Sequence, residues 1–193
     1  MQAIGISSSP RKDGNTETLV RRCLDGLAKQ GVQGEFITLR NKTIRPCKGC
    51  GTCAKRKDRT CATKDDDFHP VFETMLQADI IVVGSPVYFG SATPELMALL
   101  DRAGYVSRQC GNLLSRKLGG PIAVARRAGH NFTYAQLLFW YMINDMVVPG
   151  SSYWNVALAG KAGDVVKDEE ALATVDRFAE NLAWLQGCLN RSS

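Results

Sequence analysis

No run in this 193-residue chain approaches the roughly 20 apolar residues that a membrane-spanning helix requires. The longest apolar stretch, Leu137 to Ile143, is far too short. The opening residues, Met1-Gln2-Ala3-Ile4-Gly5-Ile6, lack the basic leader, greasy core and small-residue cleavage site of a signal peptide. A cytoplasmic, thiol-reducing location with no membrane partner is therefore expected, and clustered cysteines there hold metal more often than they form disulfides. The chain has no internal repeat and no low-complexity segment. It also lacks the G-x-G-x-x-G dinucleotide fingerprint and the G-x-x-x-x-G-K-[ST] P-loop, which removes both of those phosphate-binding classes.

The composition that remains, 45% hydrophobic and 22% charged, is that of an ordinary globular protein. A chain this long buries a core without staples, so its seven cysteines need another explanation. The net charge of +5 is concentrated locally. Arg45, Lys48, Lys55, Arg56, Lys57, Arg59 and Lys64 face Asp58 alone over the same stretch. That stretch lacks the spaced aromatics that stack bases, so no nucleic-acid partner is expected. The same cations would stabilise a thiolate-ligated metal centre.

Short apolar strands alternate with longer helical patterns, the signature of a parallel sheet covered on both faces. Strands are expected at Gln2–Ser7, Glu35–Leu39, Ala78–Gly84, Gly120–Ala125 and Trp154–Leu158. Helices are expected at Asn15–Lys29, Phe68–Gln77, Pro94–Ala103, Asn131–Asp145 and Asp168–Leu189. Residues 40–67 read as one irregular segment. The unbroken β-branched run Ile80-Ile81-Val82-Val83 suits a fully buried central strand. The expected fold class is α/β: one flavodoxin-like, doubly wound, five-stranded parallel sheet of order 2-1-3-4-5 spanning residues 1–193, with a cysteine-rich loop after strand two at about 41–67.

Between the first strand and first helix lies Ser7-Ser8-Ser9-Pro10-Arg11-Lys12-Asp13-Gly14-Asn15-Thr16. Hydroxyls, an arginine and free backbone N–H groups meet there at a helix N-terminus, where the dipole favours an anion. Such a loop suits a terminal monophosphate, with Ser8, Ser9, Arg11, Asn15 and Thr16 as its candidate holders. The competing reading is a simple turn in which Asn15 or Thr16 caps the helix. After the third strand comes Gly84-Ser85-Pro86-Val87-Tyr88-Phe89-Gly90, followed by Ala92-Thr93-Pro94-Glu95-Leu96 and Asp101-Arg102. An aromatic pair at a sheet's carboxyl edge can face a flat amphipathic ring, or it can plug the core.

Residues 8–16 and 84–90 resemble the corresponding loops of NADPH-dependent FMN reductases and the iron–sulfur flavoproteins related to them, and the resemblance extends through Val148–Asn155. One departure is Ser8, where the family often has glycine. The resemblance implies FMN, with Pro86, Val87, Tyr88, Phe89 and Gly90 along its ring and Asp101–Arg102 at the end of the following helix. A third wall would come from Arg126-Arg127-Ala128-Gly129-His130, of which Arg127 and Gly129 are the candidate contacts. A cation there, from either arginine or a protonated His130, would stabilise the reduced flavin anion.

Cys47-x2-Cys50-x2-Cys53-x7-Cys61 is the sharpest signal. Three thiolates at two consecutive x2 spacings wrap around one small object, and a fourth closes the coordination. Gly49 and Gly51 let the backbone turn that closely. Zinc is the rival metal, although zinc sites usually pair two separate knuckles; unligated or redox-active thiols are the third reading. The spacing resembles the iron–sulfur flavoprotein motif, which implies a 4Fe-4S cluster. Cys23, Cys110 and Cys188 read as small apolar residues.

The activity so implied is a flavin-dependent oxidoreductase passing electrons between cluster and FMN to a small acceptor, without a catalytic side chain. The alternative is an NAD(P)H-dependent FMN or quinone reductase with a structural zinc loop. Candidate partners are a small redox acceptor or NAD(P)H, ferredoxin as electron donor, and further copies of the chain in a homodimer or homotetramer. Tyr134, Phe139, Trp140, Tyr141 and Met142 suit a subunit interface or the core. The cysteine loop is expected at the flavin's rim of the sheet, either in its own subunit or against a neighbour's flavin.

Overall fold

The Ile80–Val83 run forms the middle of the sheet, with no solvent exposure at any of the four residues. The computed structural model describes residues 1–191. In it β1 (Gln2–Ser7), β2 (Gln33–Thr38), β3 (Ile80–Pro86), β4 (Leu118–Ala125) and β5 (Val156–Leu158) pair all-parallel in the order β2-β1-β3-β4-β5. This is the flavodoxin-like order. The helices are α1 (Asn15–Lys29), α2 (Thr52–Arg56), α3 (Phe68–Gln77), α4 (Pro94–Gln109), α5 (His130–Ile143) and α6 (Glu169–Arg191).

Burial divides into two layers. On one face α1 lays down Leu19, Val20, Cys23, Leu24 and Leu27, and α6 adds Val175, Phe178, Ala179 and Leu182. On the other, Phe68, Phe72 and Met75 of α3 pack with Leu96, Leu99 and Ala103 of α4 and Leu137 and Tyr141 of α5. Helices on both faces are what turn a parallel sheet's apolar strands into a core.

Two local departures from expectation matter for function. Helix α4 does not stop near Ala103 but runs to Gln109, so Asp101 and Arg102 sit in its middle rather than at its end. Gly104 is tolerated because Trp140 and Asn144 crowd it: an added Cβ would lie 3.0 Å from Trp140 Nε1 and 3.1 Å from Asn144 Nδ2. Tertiary packing outweighs glycine's poor helix propensity here. The segment 40–67 is also not wholly irregular. It contains α2, whose N-cap Gly51 is in the left-handed region at φ 67°. Helix α2 packs against α4.

The aromatic residues of α5 divide between core and surface. Trp140 and Tyr141 are core residues; Trp140 Nε1 donates to Leu100 O at 2.7 Å, and the Tyr141 hydroxyl reaches Ile81 O and Gly120 O, each at 3.0 Å. Tyr134 is half-buried, while Phe139 and Met142 are exposed beside Phe132 and Ile143.

Candidate functional site

The carboxyl edge of the sheet holds a hollow of about 130 Å³. Four strand ends build it: Ser9, Pro10, Arg11, Asn15 and Thr16 after β1, Pro86, Val87 and Tyr88 at β3, Val124 and Arg126 at β4, and Ala159 and Gly160 after β5. Whole ligands of cofactor size occupy roughly 300–1,000 Å³, so this space suits one end of a ligand, with the remainder lying along the rim.

The floor of the hollow is the first turn of α1. Its first backbone bond is Thr18 N donating to Gly14 O, so the N–H groups of Asn15, Thr16 and Glu17 have no partner within the helix. The turn before it is tight: Arg11 N donates to Ser9 Oγ at 3.2 Å, and a Cβ on Gly14 would stand 2.8 Å from that same oxygen. Glu17 is buried in this turn, but its carboxylate is matched by Arg21 at 3.0 Å and Arg40 at 3.3 Å. Its charge therefore does not oppose an anion.

The candidate phosphate residues divide by geometry. Ser9, Arg11, Asn15 and Thr16 line the hollow. The Asn15 amide is engaged at both ends, donating to Lys161 O at 2.8 Å and accepting from Val165 N at 3.2 Å, so it braces the loop after β5. Arg11 spans the opening and donates to Gly160 O at 3.0 Å. Ser8 instead donates to Gly84 O at 3.2 Å and lines an adjoining cavity of about 340 Å³ with Arg40, Lys42, Thr93 and Glu95. Pro10 and Tyr88 border both spaces.

The ring-facing residues form a tight turn. Tyr88 N donates to Ser91 O at 2.8 Å and Ser91 N donates back at 3.0 Å. Phe89 and Gly90 between them adopt φ of 52° and 80°, the left-handed pair of a two-residue hairpin turn. A phenylalanine there costs about 1–2 kcal/mol, and Phe89 is fully exposed. Gln136 Oε1 fixes the turn's far end, accepting from Ser91 Oγ and Ala92 N. Gly129 fits under it: an added Cβ would lie 3.0 Å from Val87 Cγ1 and 3.2 Å from Gly90 Cα.

Both adjacent arginines are exposed, but Arg126 lines the hollow and Arg127 does not. Both follow the last residue of β4 in a bend, so strand alternation could not have told them apart. Ala159, Gly160 and Gln136 had no motif to point to them.

Cys47, Cys50, Cys53 and Cys61 line a second, narrow hollow of about 20 Å³, together with Lys48, Thr63, Arg102, Tyr105 and Val106. Cys53 is buried, Cys61 half-buried, and Cys47 and Cys50 exposed. Burial pushes the Cys53 thiol pKa up, and the sulfurs of Cys61 and Cys47 add to that. A hydrogen bond from the Thr52 hydroxyl lowers that of Cys50. Among the described residues, no three His, Cys, Asp or Glu side chains converge on a single ion. Four thiols bordering one hollow, with Lys48 and Arg102 beside them, are a soft, anionic donor set of the kind that holds an iron–sulfur cluster or zinc.

The two hollows share no lining residue. The cysteine segment leaves β2 at the carboxyl edge, and its helix α2 packs on α4. Arg102, Tyr105 and Val106 lie roughly 12–18 Å down that helix from Pro94 at 1.5 Å per residue, whereas Thr93 and Glu95 line the cavity beside the first hollow. Among the described residues no helix is long and apolar enough to cross a membrane.

The comparisons agree with this architecture. An iron–sulfur flavoprotein of Methanocaldococcus jannaschii is 36% identical over 95% of this chain and 96% of its own length. One of Methanosarcina thermophila is 32% identical over 91% and 94%. The solved structure of a flavodoxin from the domain Archaea superposes with a TM-score of 0.61 at 15% identity, covering 95% of this chain and 96% of that one. The model of the NADPH-dependent FMN reductase family matches residues 1–161, and the chain belongs to that family, alongside its iron–sulfur flavoprotein relatives.

Proposed function

We propose that the protein is a flavin-dependent oxidoreductase in which a cysteine-held iron–sulfur cluster exchanges single electrons with FMN, which serves a small acceptor. The observation that carries this reading is the gathering of all four cysteines around one hollow in a chain whose sheet edge also offers an anion-binding helix terminus. FMN, when bound, collects single electrons and delivers them in pairs.

The chain's own residues bind and orient. The first-turn N–H groups of α1, with Ser9, Arg11 and Thr16, would hold the phosphate, and Asn15 would keep the opposite wall in place. Pro86, Val87, Tyr88, Phe89 and Gly90 would flank the ring, seated on Gly129. Exposed Phe89, held in a costly conformation, suits a surface that a flat ring or another copy covers. Arg126 would face developing negative charge. Cys47, Cys50, Cys53 and Cys61 would ligate a 4Fe-4S cluster.

The separation of the hollows along α4 favours exchange between the cluster of one copy and the flavin of another. The exposed Phe132, Phe139, Met142 and Ile143 on α5 support an oligomer. Exposed Lys48, Lys55, Arg56, Lys57 and Arg59 suit docking of an acidic electron donor such as a ferredoxin, and NAD(P)H is the small-molecule donor the family implies. An anaerobic preparation tests the reading by its spectrum before and after dithionite, with iron, sulfide and zinc analysis. Flavin bands over a broad, bleachable cluster absorption are expected. Yellow protein containing zinc and no iron would overturn the cluster assignment.

A further inference from the structure

Arg102 is 1% exposed, the largest of the fully buried side chains, and it lines the thiol hollow from the middle of α4. Its Nη1 and Nη2 form a fork on the carboxylate of Asp66, whose side chain has no exposure. The same two nitrogens donate to Arg45 O at 3.1 Å and Thr63 O at 2.9 Å. Arg45 lies just before Cys47 and Thr63 just after Cys61, so one guanidinium ties together both ends of the cysteine segment. Asp66 completes the clasp by accepting from Arg45 N at 2.9 Å. Burial alone would raise the Asp66 pKa, but the hydrogen bonds from Arg102 and Arg45 N–H outweigh it and hold the carboxyl below its ordinary value.

The remaining donor is the informative one. Arg102 Nε is buried and has no hydrogen-bond partner among the described residues. An arginine engaged through its Nη1–Nη2 edge has its Nε–H on a different edge, away from the carboxylate. The Phe68 ring covers one face of the guanidinium, with Cζ 3.9 Å from the ring centroid, and offers no conventional acceptor. A buried cationic donor left unmet is strongly unfavourable, which implies that something outside the chain accepts this hydrogen bond. The thiol hollow is the space the side chain borders, and cluster sulfurs are acceptors.

We infer that Arg102 is the positioning residue of the cluster site: it closes the cysteine segment through its fork and turns its Nε–H toward the cluster's sulfur. This rests on the cluster reading above. Hydrogen bonds to cluster sulfurs favour the more negative, reduced state and raise the reduction potential.

The test uses anaerobically purified full-length protein, with flavin content, iron and sulfide content, thermal unfolding and an EPR-monitored redox titration of the cluster. Arg102→Lys keeps the charge but loses the fork and the Nε–H. It is expected to retain flavin and cluster, with the cluster's oxidised–reduced equilibrium shifted about tenfold toward the oxidised form, which is about 59 mV for one electron. Asp66→Asn leaves the guanidinium without its counter-charge and is expected to shift the equilibrium the opposite way. Loosened packing would not give shifts of opposite sign. A loaded Arg102→Lys cluster with unchanged potential and EPR signal overturns it, as does collapse of both variants with loss of flavin. A wild-type preparation without iron would sink the cluster reading itself, before any variant is compared.

Discussion

Gly84 decides how closely the phosphate-binding end of α1 can sit on the sheet, and replacing it with alanine separates packing from binding. An added Cβ would lie 2.4 Å from Val20 Cγ2 and 2.9 Å from Thr16 Cγ2. Ordinary carbon–carbon contact is about 3.5–4.0 Å, so the first turn of α1 must withdraw by about 1 Å or more. Overpacking of this size costs about 1–3 kcal/mol, which for a chain of this length lowers Tm by about 2–12 °C. The same withdrawal carries the N–H groups of Asn15 and Thr16 away from the hollow. Loss of one hydrogen bond to a charged group, about 1.5–3 kcal/mol, weakens FMN binding by about 10- to 100-fold. Gly26→Ala is the control, because its Cβ would meet Ala179 Cβ at 2.8 Å, in the α1–α6 contact and away from the hollow. Flavin-fluorescence titration of apoprotein gives Kd, and thermal unfolding gives stability. A Gly84→Ala protein with lowered Tm and wild-type FMN affinity would refute the assignment of the phosphate to this helix terminus.

Three further outcomes follow from the same geometry. Arg126→Ala is expected to weaken FMN binding about tenfold, and Arg127→Ala to leave Kd unchanged, because only Arg126 lines the hollow; equal effects in the titration would contradict that orientation. Cys53→Ser should remove most iron and sulfide while flavin content stays at the wild-type level, since the two hollows share no residue; parallel loss of flavin on elemental and absorbance analysis would show them to be one site. In cluster-free protein, iodoacetamide at pH 8 is expected to label Cys50 before Cys23. Thr52 lowers the Cys50 pKa and so enlarges its thiolate fraction, whereas burial pushes Cys23 up to about 12 and leaves it protonated. Mass spectrometry that found Cys23 modified first would overturn this ordering.

What the sequence disclosed followed from how local each signal is. Ile80–Val83 identified the central strand because burial on both faces demands an unbroken apolar run. The limits of α1 and α3 were legible because their apolar stripes repeat at helical spacing. Helix α4 was cut short at Gly104, where only contact with Trp140, 36 positions away, explains why a glycine is needed. The short α2 was hidden because glycines and cysteines dominate its surroundings, and its stability comes from packing on α4 rather than from propensity. The four cysteines named themselves by spacing. Arg102 stood out only as half of an Asp–Arg pair, and its clasp was hidden because its partners Arg45, Thr63 and Asp66 are remote in sequence and none carries a motif.

The fold also explains why one small domain can carry both sites. The hollow at the carboxyl edge uses what any such sheet provides: strand ends, a helix N-terminus and a turn. The cysteine segment is an elaboration of one connection, and lengthening a loop adds only about 0.6 kcal/mol of closure entropy per doubling. That small cost still has to be met by anchors. Ile44 and Leu39 bury themselves at the start of the segment and Phe68 just beyond its end, while the guanidinium of Arg102 draws the two arms together between them. All of these anchors belong to the α3–α4–α5 layer, whereas the first-turn N–H groups that face an anion belong to α1 on the opposite layer. The sheet therefore stands between the support of one site and the support of the other, and a second redox centre is accommodated without moving the helix on which the first depends.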